Sequence, residues 1–109
     1  MIIESKELPA TEIKFFILEN GVEVGRAFIV IARNGLHDFP FALLEDVSVA
    51  KGYRKMGIGG SLVDRVTNEA RERDCYKLII TVSNPALYKW YEERGFVRWS
   101  TVFRLNLKP

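Results

Sequence analysis

The hydrophobic pattern of this chain changes from strand-like to helical spacing near residue 57, and this change limits the folds that the chain can adopt. β-Branched and aromatic residues dominate the earlier segments Ile13–Leu18, Val22–Ala32 and Phe41–Val49, which are typical of strands. From Ile58 onward, apolar residues recur at helical spacing over about four turns. The run Lys77–Val82 is short, apolar and β-branched, as expected of a buried strand. The order of strand, helix and strand predicts a parallel crossover.

A second, shorter helix and a last strand are predicted after this crossover. Asn84 is a good capping residue before a proline, and Gly95 is a natural helix stop, so a helix is expected over Pro85–Arg94. From Val97 to Leu107, apolar side chains alternate with polar ones, and no Gly or Pro interrupts the alternation. This stretch predicts one continuous strand.

Composition and turn signals favour one globular domain with a mixed sheet. The chain has 109 residues, of which 48% are hydrophobic and 28% are charged, the ordinary balance of a globular protein. Asn20 and Gly21 form a dipeptide that favours a tight hairpin, so the first two strands are expected to be antiparallel. We therefore expect a single α/β domain over residues 1–109.

Charge and cysteine content exclude several classes of protein. The net charge of +2 is small for a dedicated nucleic-acid-binding domain, so a nucleic acid is not the expected partner. Cys75 is the only cysteine and cannot form an internal disulfide, and the first residues lack the pattern of a secretory signal. No apolar run approaches the roughly 20 residues that span a bilayer. A cytoplasmic protein without a membrane segment is expected.

A glycine-rich basic loop, residues 51–61, lies between the third predicted strand and the first helix. Gly57, Gly59 and Gly60 allow backbone N–H groups to approach a ligand, and the N-terminus of the helix adds unpaired donors and a partial positive charge. Such a loop is suited to hold a pyrophosphate. Three basic side chains strengthen its positive field: Lys51, Arg54 and Lys55. The alternative is that the glycines only allow the strand and the helix to pack closely.

Two familiar phosphate-binding motifs do not fit this loop. A P-loop requires a lysine followed by Ser or Thr after its last glycine, and Gly60 is followed directly by Ser61 and Leu62. The dinucleotide fingerprint G-x-G-x-x-G also fails, because the last glycine is missing from the required position. A nucleotide triphosphatase and a Rossmann-type dehydrogenase are therefore not expected.

Two separated motifs carry a family resemblance. Residues 54–59 read Arg-Lys-Met-Gly-Ile-Gly, and residues 91–96 read Tyr-Glu-Glu-Arg-Gly-Phe, with Asn84 preceding the second motif. The first resembles the R/Q-x-x-G-x-G/A loop of the GNAT superfamily of acyl-CoA-dependent N-acyltransferases, and the second resembles the Tyr-x-x-x-Gly-Phe block of that superfamily. The resemblance covers residues 41–103. Within the superfamily, residues 44–47 and 74–79 are similar to the glucosamine-6-phosphate N-acetyltransferases.

The resemblance implies acetyl-CoA as cosubstrate and requires no metal. Acetyl-CoA would lie between the strand ending at Val49 and the strand 78–82, with its pantetheine arm against strand backbone and Asn84 and its pyrophosphate on the N–H groups of the loop. The residues that would bind it are Val47, Ser48, Val49, Arg54, Lys55, Met56, Gly57, Ile58, Gly59, Gly60, Ser61 and Asn84.

Two side chains are candidates for the chemistry. By its match to the family motif, Tyr91 would be the general acid that protonates the departing CoA thiolate. Glu45 is a plausible base for the attacking amine, acting through water, and Asp46 is expected on the opposite face of the strand. A backbone N–H near residues 47–49 is a candidate donor for the developing oxyanion. Each residue also has a plainer alternative: Tyr91 as a packing residue beside Trp90, and Glu45 as a structural or substrate-binding carboxylate.

The chain departs from the family in one respect. The usual fold places two helices between its first and second strands, where they help to form the acceptor pocket. Here the Asn20-Gly21 turn leaves no room for them. The acceptor side is therefore expected to be open or completed by a second subunit. We expect a homodimer in which residues 97–107 cross to, or pair with, the other chain.

These patterns predict an N-acetyltransferase that transfers an acetyl group from acetyl-CoA to a primary amine of a small molecule by direct attack. A protein or peptide amine is the alternative acceptor, because an open site could admit an extended peptide. A module that binds acyl-CoA, or another protein, without turnover is the alternative from a different class.

Overall fold

The computed structural model describes all 109 residues and has one four-stranded sheet at its centre. The elements are β1 (Ala10–Glu19), β2 (Val22–Ala32), β3 (Phe41–Val49), α1 (Ile58–Glu72), β4 (Leu78–Ile80) and α2 (Tyr88–Glu93), with a 3₁₀ turn at Pro85–Leu87 before α2. The strand order is β1-β2-β3-β4; the first two pairs are antiparallel and β3 and β4 are parallel. The predicted α/β fold is confirmed: a mixed, mostly antiparallel sheet with one parallel pair and two main helices.

The β1–β2 hairpin turns at the predicted dipeptide. Asn20 and Gly21 both have positive φ angles, 51° and 78°, which match the twist of neighbouring strands in a two-residue turn. The ladder then runs from Glu19 opposite Val22 to Ala10 opposite Ala32. Both strands are long, and they pair over nearly their whole length.

The core lies between one face of this sheet and the two helices. Fully buried side chains come from strands and helix alike: Val24, Ile29, Leu44, Val63 and Val66. Gly25 brings α1 close to the sheet, because a Cβ there would lie only 2.7 Å from the Cγ2 of Ile58. None of the helices has the length and apolar character needed to cross a membrane.

β3 and β4 separate after a short paired segment. Their parallel pairing ends at Leu44 opposite Ile80, whereas β3 continues to pair with β2 as far as Val49. Asp46 marks a β-bulge in β3, with a φ of 49°. The predicted strand Lys77–Val82 is therefore too long, because it loses its partner at this separation. The resulting cleft places the candidate site at the ends of two strands.

The strand predicted over Val97–Leu107 is absent. Residues 97–109, which we call the arm, have no regular secondary structure and form no backbone hydrogen bonds. A strand requires a partner for its backbone groups as well as an alternating sequence, and the arm has no such partner within the chain. The radius of gyration of 16.1 Å exceeds the roughly 13 Å expected for a compact domain of this length.

Candidate active site

A cavity of about 250 Å³ opens where β3 and β4 separate. It is bordered by residues 44–47 of β3, residues 80–84 at the end of β4, Leu87 and Tyr91. One wall is thus supplied by β3 and the other by β4 with the following turn and helix. The bulge in β3 and the early end of β4 are the features that create this space.

Tyr91 projects from α2 to this cavity with a buried, tightly held ring. Its exposed fraction is 7%, and the ring makes edge-on contacts with Trp90 and Phe96 at centroid distances of 4.8 and 5.6 Å. Burial raises the pKa of the Tyr91 phenol above its usual value, and the nearby Arg94 guanidinium opposes this effect only in part. The phenol therefore stays protonated at neutral pH, as a proton donor must be.

Two adjacent carboxylates stand on the opposite wall. Glu45 and Asp46 both border the cavity, both are exposed, and neither forms an ion pair within the chain. The register opposite them slips between Arg26 and Phe28 of β2. The bulge interrupts the alternation of side chains on which the expectation for Asp46 depends, and both residues border the same cavity. The site therefore contains a carboxylate pair with no basic side chain on its walls.

The N-terminus of α1 presents a row of free backbone donors. Gly57 is the residue before the helix and has a φ of 79°, a left-handed conformation that favours glycine. The N–H of Ser61 donates to the carbonyl of Gly57 at 3.0 Å and is thus already used. The N–H groups of residues 56–60 have no acceptor in the chain, and the first helical turn has no acidic residue. The predicted loop is therefore a set of unpaired donors at a helix end.

The basic residues of the loop differ in their roles. Arg54 donates from Nε to the carbonyl of Val49 at 3.1 Å, which ties the loop to the end of β3. Lys51 and Lys55 form no ion pair, and Lys55 has a φ of 65°, a strained conformation for a residue with a side chain. The positive charge of the loop is thus not neutralised by the protein.

Asn84 acts as the predicted cap of the second helix. Its Oδ1 accepts a hydrogen bond from the N–H of Ala86 at 3.1 Å, and Pro85 follows at the first helical position. The helix predicted over residues 85–94 is confirmed, with its first turn as 3₁₀ helix. Asn84 also borders the cavity. Its side-chain NH₂ group has no partner in the chain and can donate to a ligand there.

The cavity and the loop lie along the same stretch of β3. The two carboxylates that border the cavity are at positions 45 and 46 of β3. Val49, three residues beyond Asp46, lies next to the loop: a Cβ on Gly59 would be 3.7 Å from the Cγ2 of Val49. Three residues of strand span about 10 Å. On the side facing β4, the backbone of β3 has no strand partner beyond Leu44. An elongated ligand could thus reach the cavity, the free strand edge and the loop together.

One residue of this region was not predicted as a site residue. Arg94 has a buried Nε with no hydrogen-bond partner, the only such side-chain atom in the structure. The family motif Tyr-x-x-x-Gly-Phe accepts any residue at position 94, between Glu93 and Gly95, so the sequence does not indicate a role for this arginine.

Comparison with known proteins places this geometry in a family. The model of the acetyltransferase (GNAT) family matches residues 4–96, most of the chain. The chain belongs to the GNAT family. This membership agrees with the strand, loop and helix motif and with the separated parallel strands described above.

Individual GNAT relatives add detail. Glucosamine 6-phosphate N-acetyltransferase from Candida albicans is 32% identical over 78 residues, which are 71% of this chain and 52% of that protein. Amino-acid acetyltransferase from Yersinia pestis is 32% identical over 100 residues, 88% of this chain and 21% of that protein. The chain thus spans about half or less of the length of these curated relatives. The predicted similarity to glucosamine-6-phosphate N-acetyltransferases is confirmed.

Solved GNAT structures have the same fold. Glucosamine-6-phosphate N-acetyltransferase from Arabidopsis thaliana superposes with a TM-score of 0.83 at 20% identity, covering 89% of this chain and 67% of that one. An acetyltransferase from Trypanosoma brucei gives a TM-score of 0.78 at 28% identity, covering 90% and 69%. These acetyltransferases therefore share the overall fold of this chain.

Proposed function

We propose that this chain is an N-acetyltransferase that transfers an acetyl group from acetyl-CoA to a primary amine of a small molecule. The observation that carries the proposal is one cavity with a protonated phenol on one wall and an unpaired carboxylate on the other. Membership of the GNAT family supports acetyl-CoA as the acetyl donor. For this acetyl transfer, the chain needs to supply a binding site for acetyl-CoA, a base and an acid.

Acetyl-CoA fits the free polar groups of the site. In our proposal, its pyrophosphate binds the N–H groups of residues 56–60, supported by Arg54 and Lys55. Its pantetheine arm lies along the unpaired edge of Val47, Ser48 and Val49, with the NH₂ group of Asn84 on the other side. The backbone N–H groups supply hydrogen bonds that the protein leaves unmade.

The proposed chemistry uses one side chain from each wall. Glu45 takes a proton from the acceptor ammonium, directly or through water, and the free amine attacks the thioester carbonyl carbon. A backbone N–H at the end of β3 stabilises the oxyanion of the tetrahedral intermediate. When the carbon–sulfur bond breaks, the hydroxyl of Tyr91 donates its proton to the leaving thiolate, and the excess proton on the attacking nitrogen restores the Tyr91 hydroxyl through water, which leaves the neutral amide. The raised pKa of Tyr91 supports this role, since the acid must be protonated before transfer.

The acceptor is proposed from the relatives and from the open site. Two of the relatives are named as acetyltransferases of glucosamine 6-phosphate and of amino acids, which are small amines. A peptide amine is the alternative, and the exposed carboxylates favour neither choice. A panel of amino sugars, amino acids and lysine peptides, assayed by release of CoA thiol, separates these acceptors.

We place the reaction in the cytoplasm, because the single cysteine suits a reducing compartment.

Replacement of Glu45 by Gln is expected to lower kcat about 100-fold at neutral pH if Glu45 is the base. The deficit should narrow as the pH rises, because the acceptor amine then loses its proton to solvent. A steady-state pH profile with the best acceptor measures both effects. If Glu45 only binds the acceptor, KM rises while kcat stays near that of the unaltered protein, and the base assignment is refuted.

Isothermal titration with acetyl-CoA is the first test of the whole proposal, and we expect one binding site per chain. Gly57→Val should weaken binding at least tenfold, because a β-branched residue does not tolerate the left-handed φ that shapes the loop. Gly35→Val is the matched control: Gly35 has a φ of 82°, also has no atom near its Cβ position, and lies in the loop before β3. Equal weakening in both variants would indicate general instability. Absence of binding at millimolar acetyl-CoA would refute the proposal.

A homodimer completes the proposal. The arm exposes a row of apolar side chains, and β4 lies at the edge of the sheet with its outer side unpaired. An unpaired edge and an extended, alternating segment are complementary in backbone hydrogen bonding. We therefore propose that the arm of each copy adds to the β4 edge of a second copy. β4 also borders the cavity, through Ile80.

A further inference from the structure

The walls of the active-site cavity carry negative charge but no positive charge. Glu45 and Asp46 are exposed carboxylates that border the cavity, and no Lys, Arg or His does so. The guanidinium of Arg94 acts on the phenol of Tyr91, but it lies against Gly60 and does not border the cavity. A ligand that enters this space therefore meets an uncompensated negative field.

The neighbouring strand does not neutralise these carboxylates. Phe28 lies opposite Glu45 in the ladder of β2 and β3, so the cross-strand neighbour of this glutamate is apolar. Arg26, also on β2, lies 3.5 Å from Glu23 and is thus already in an ion pair. Neither Glu45 nor Asp46 forms an ion pair or a side-chain hydrogen bond within the chain. Both carboxylates are therefore available to a cationic ligand.

The other walls of the cavity suit a ligand with an alkyl chain. Most of their side chains are apolar: Leu44, Val47, Ile80, Val82 and Leu87. A methylene chain can pack on such walls while its polar ends reach the charged groups. Tyr91 is only 7% exposed, yet its hydroxyl has no hydrogen-bond partner in the chain. A buried polar group without a partner is expected where a ligand completes the site.

We propose that the acceptor is a linear aliphatic diamine, and that Asp46 selects it by binding the ammonium group that does not react. The inference rests on the proposed function and names the substrate class of the same site. Glu45 serves the reacting amine, and the alkyl chain lies on the apolar walls. The second ammonium is attracted by a carboxylate that no group of the protein neutralises.

An acceptor with an anionic group of its own does not suit this cavity. Phosphates and carboxylates are commonly bound by Arg or Lys side chains, and the cavity walls supply none. A phosphate beside Glu45 and Asp46 would be repelled by both carboxylates. We therefore expect glucosamine 6-phosphate to be a poorer acceptor for this chain than glucosamine.

A series of acceptors of similar length and different charge tests the substrate class. Putrescine carries a second ammonium, n-pentylamine has a methyl group in its place, and γ-aminobutyrate has a carboxylate there. We expect kcat/KM to fall in that order by about five- to tenfold at each step, after correction for the equivalent amines of putrescine. The differences should shrink as salt is added, because the site is open to solvent.

Asp46→Asn tests the residue, because it removes the charge and keeps the size of the side chain. Asn adopts the left-handed conformation found here, with a φ of 49°, as readily as Asp does. We expect the ratio of kcat/KM for putrescine to that for n-pentylamine to fall about fivefold. The control is Asp64→Asn on α1, which removes an exposed carboxylate that does not border the cavity and should not change this ratio. Circular dichroism and thermal melting report whether each variant is folded.

The outcomes separate this inference from the proposed function. Equal kcat/KM for putrescine and n-pentylamine, or better use of γ-aminobutyrate than of n-pentylamine, would overturn the inference and leave acetyl transfer to an amine intact. An unchanged ratio in a folded Asp46→Asn variant would overturn the role of Asp46. Acetyl-CoA binding without acetylation of any acceptor in the series would also overturn the inference. If calorimetry shows no binding of acetyl-CoA, the proposed function itself is refuted, and this inference with it.

Discussion

Tyr91→Phe should lower kcat about 100-fold or more while the Kd for acetyl-CoA changes by less than about twofold. The expected loss is that of a general acid, because the CoA thiolate would then leave without a positioned proton donor. Binding should persist because the buried ring, and not its hydroxyl, makes the contacts with Trp90 and Phe96. Release of CoA thiol with a verified acceptor measures kcat, and calorimetry measures Kd.

The matched control for this variant is Tyr88→Phe on the same helix. Tyr88 stacks under Arg98, whose Cζ lies 5.2 Å from the ring centroid, and it does not border the cavity. Its turnover should stay within about twofold of the unaltered protein. If Tyr91→Phe retains full turnover, Tyr91 is a packing residue and the proton must come from water or another group.

The sheet and the first helix could be predicted because their local signals agree with their tertiary surroundings. The bounds of β2 and β3 are those predicted, since β-branched runs end at turn residues such as Asn20-Gly21. α1 begins at Ile58, directly after Gly57, whose left-handed backbone conformation is typical of a helix end or a turn. The end of β4 was not predictable in the same way, because it depends on the bulge at Asp46 in another strand.

The candidate site was predictable to the extent that it follows from local motifs. The loop at Gly57, the cap at Asn84 and the tyrosine at position 91 each have a fixed spacing within one segment. Contacts between segments were not predictable. Asp46 joins Glu45 at the cavity only because the register with β2 slips, and Arg94 reaches Gly60 only because α2 ends beside the first turn of α1.

The arm shows why an alternating sequence alone does not fix a strand. The same period-two pattern serves a strand paired within its chain, a strand paired with another chain and an extended segment with no partner. The contact of Lys77 with the ring of Trp99, at 5.4 Å from the centroid, places the start of the arm beside the N-terminal end of β4. The residues that follow form no backbone hydrogen bonds with the rest of the chain.

A dimer is therefore expected in solution, with a mass twice the 12.5 kDa of one chain. Phe103, Leu105 and Leu107 have exposed fractions of 93%, 81% and 84% in the single chain, and their alternation would place them on one face if the arm pairs as a strand. Burying these side chains against a second copy supplies the hydrophobic driving force. Size-exclusion chromatography with light scattering at micromolar concentration measures the mass directly.

A double variant, Phe103→Asp with Leu105→Asp, should convert this dimer to a monomer. Two carboxylates cannot be buried in an apolar interface without a large desolvation cost, so the expected effect is complete at micromolar concentration. The matched control is Arg104→Asp with Asn106→Asp, which changes the opposite face of the same extended segment, where Arg104 Nε donates to Asn106 Oδ1 at 2.7 Å. That control should remain dimeric. A monomeric mass for the unaltered protein would refute the dimer. If both double variants lose the dimer equally, the interface does not depend on the apolar side chains of the arm.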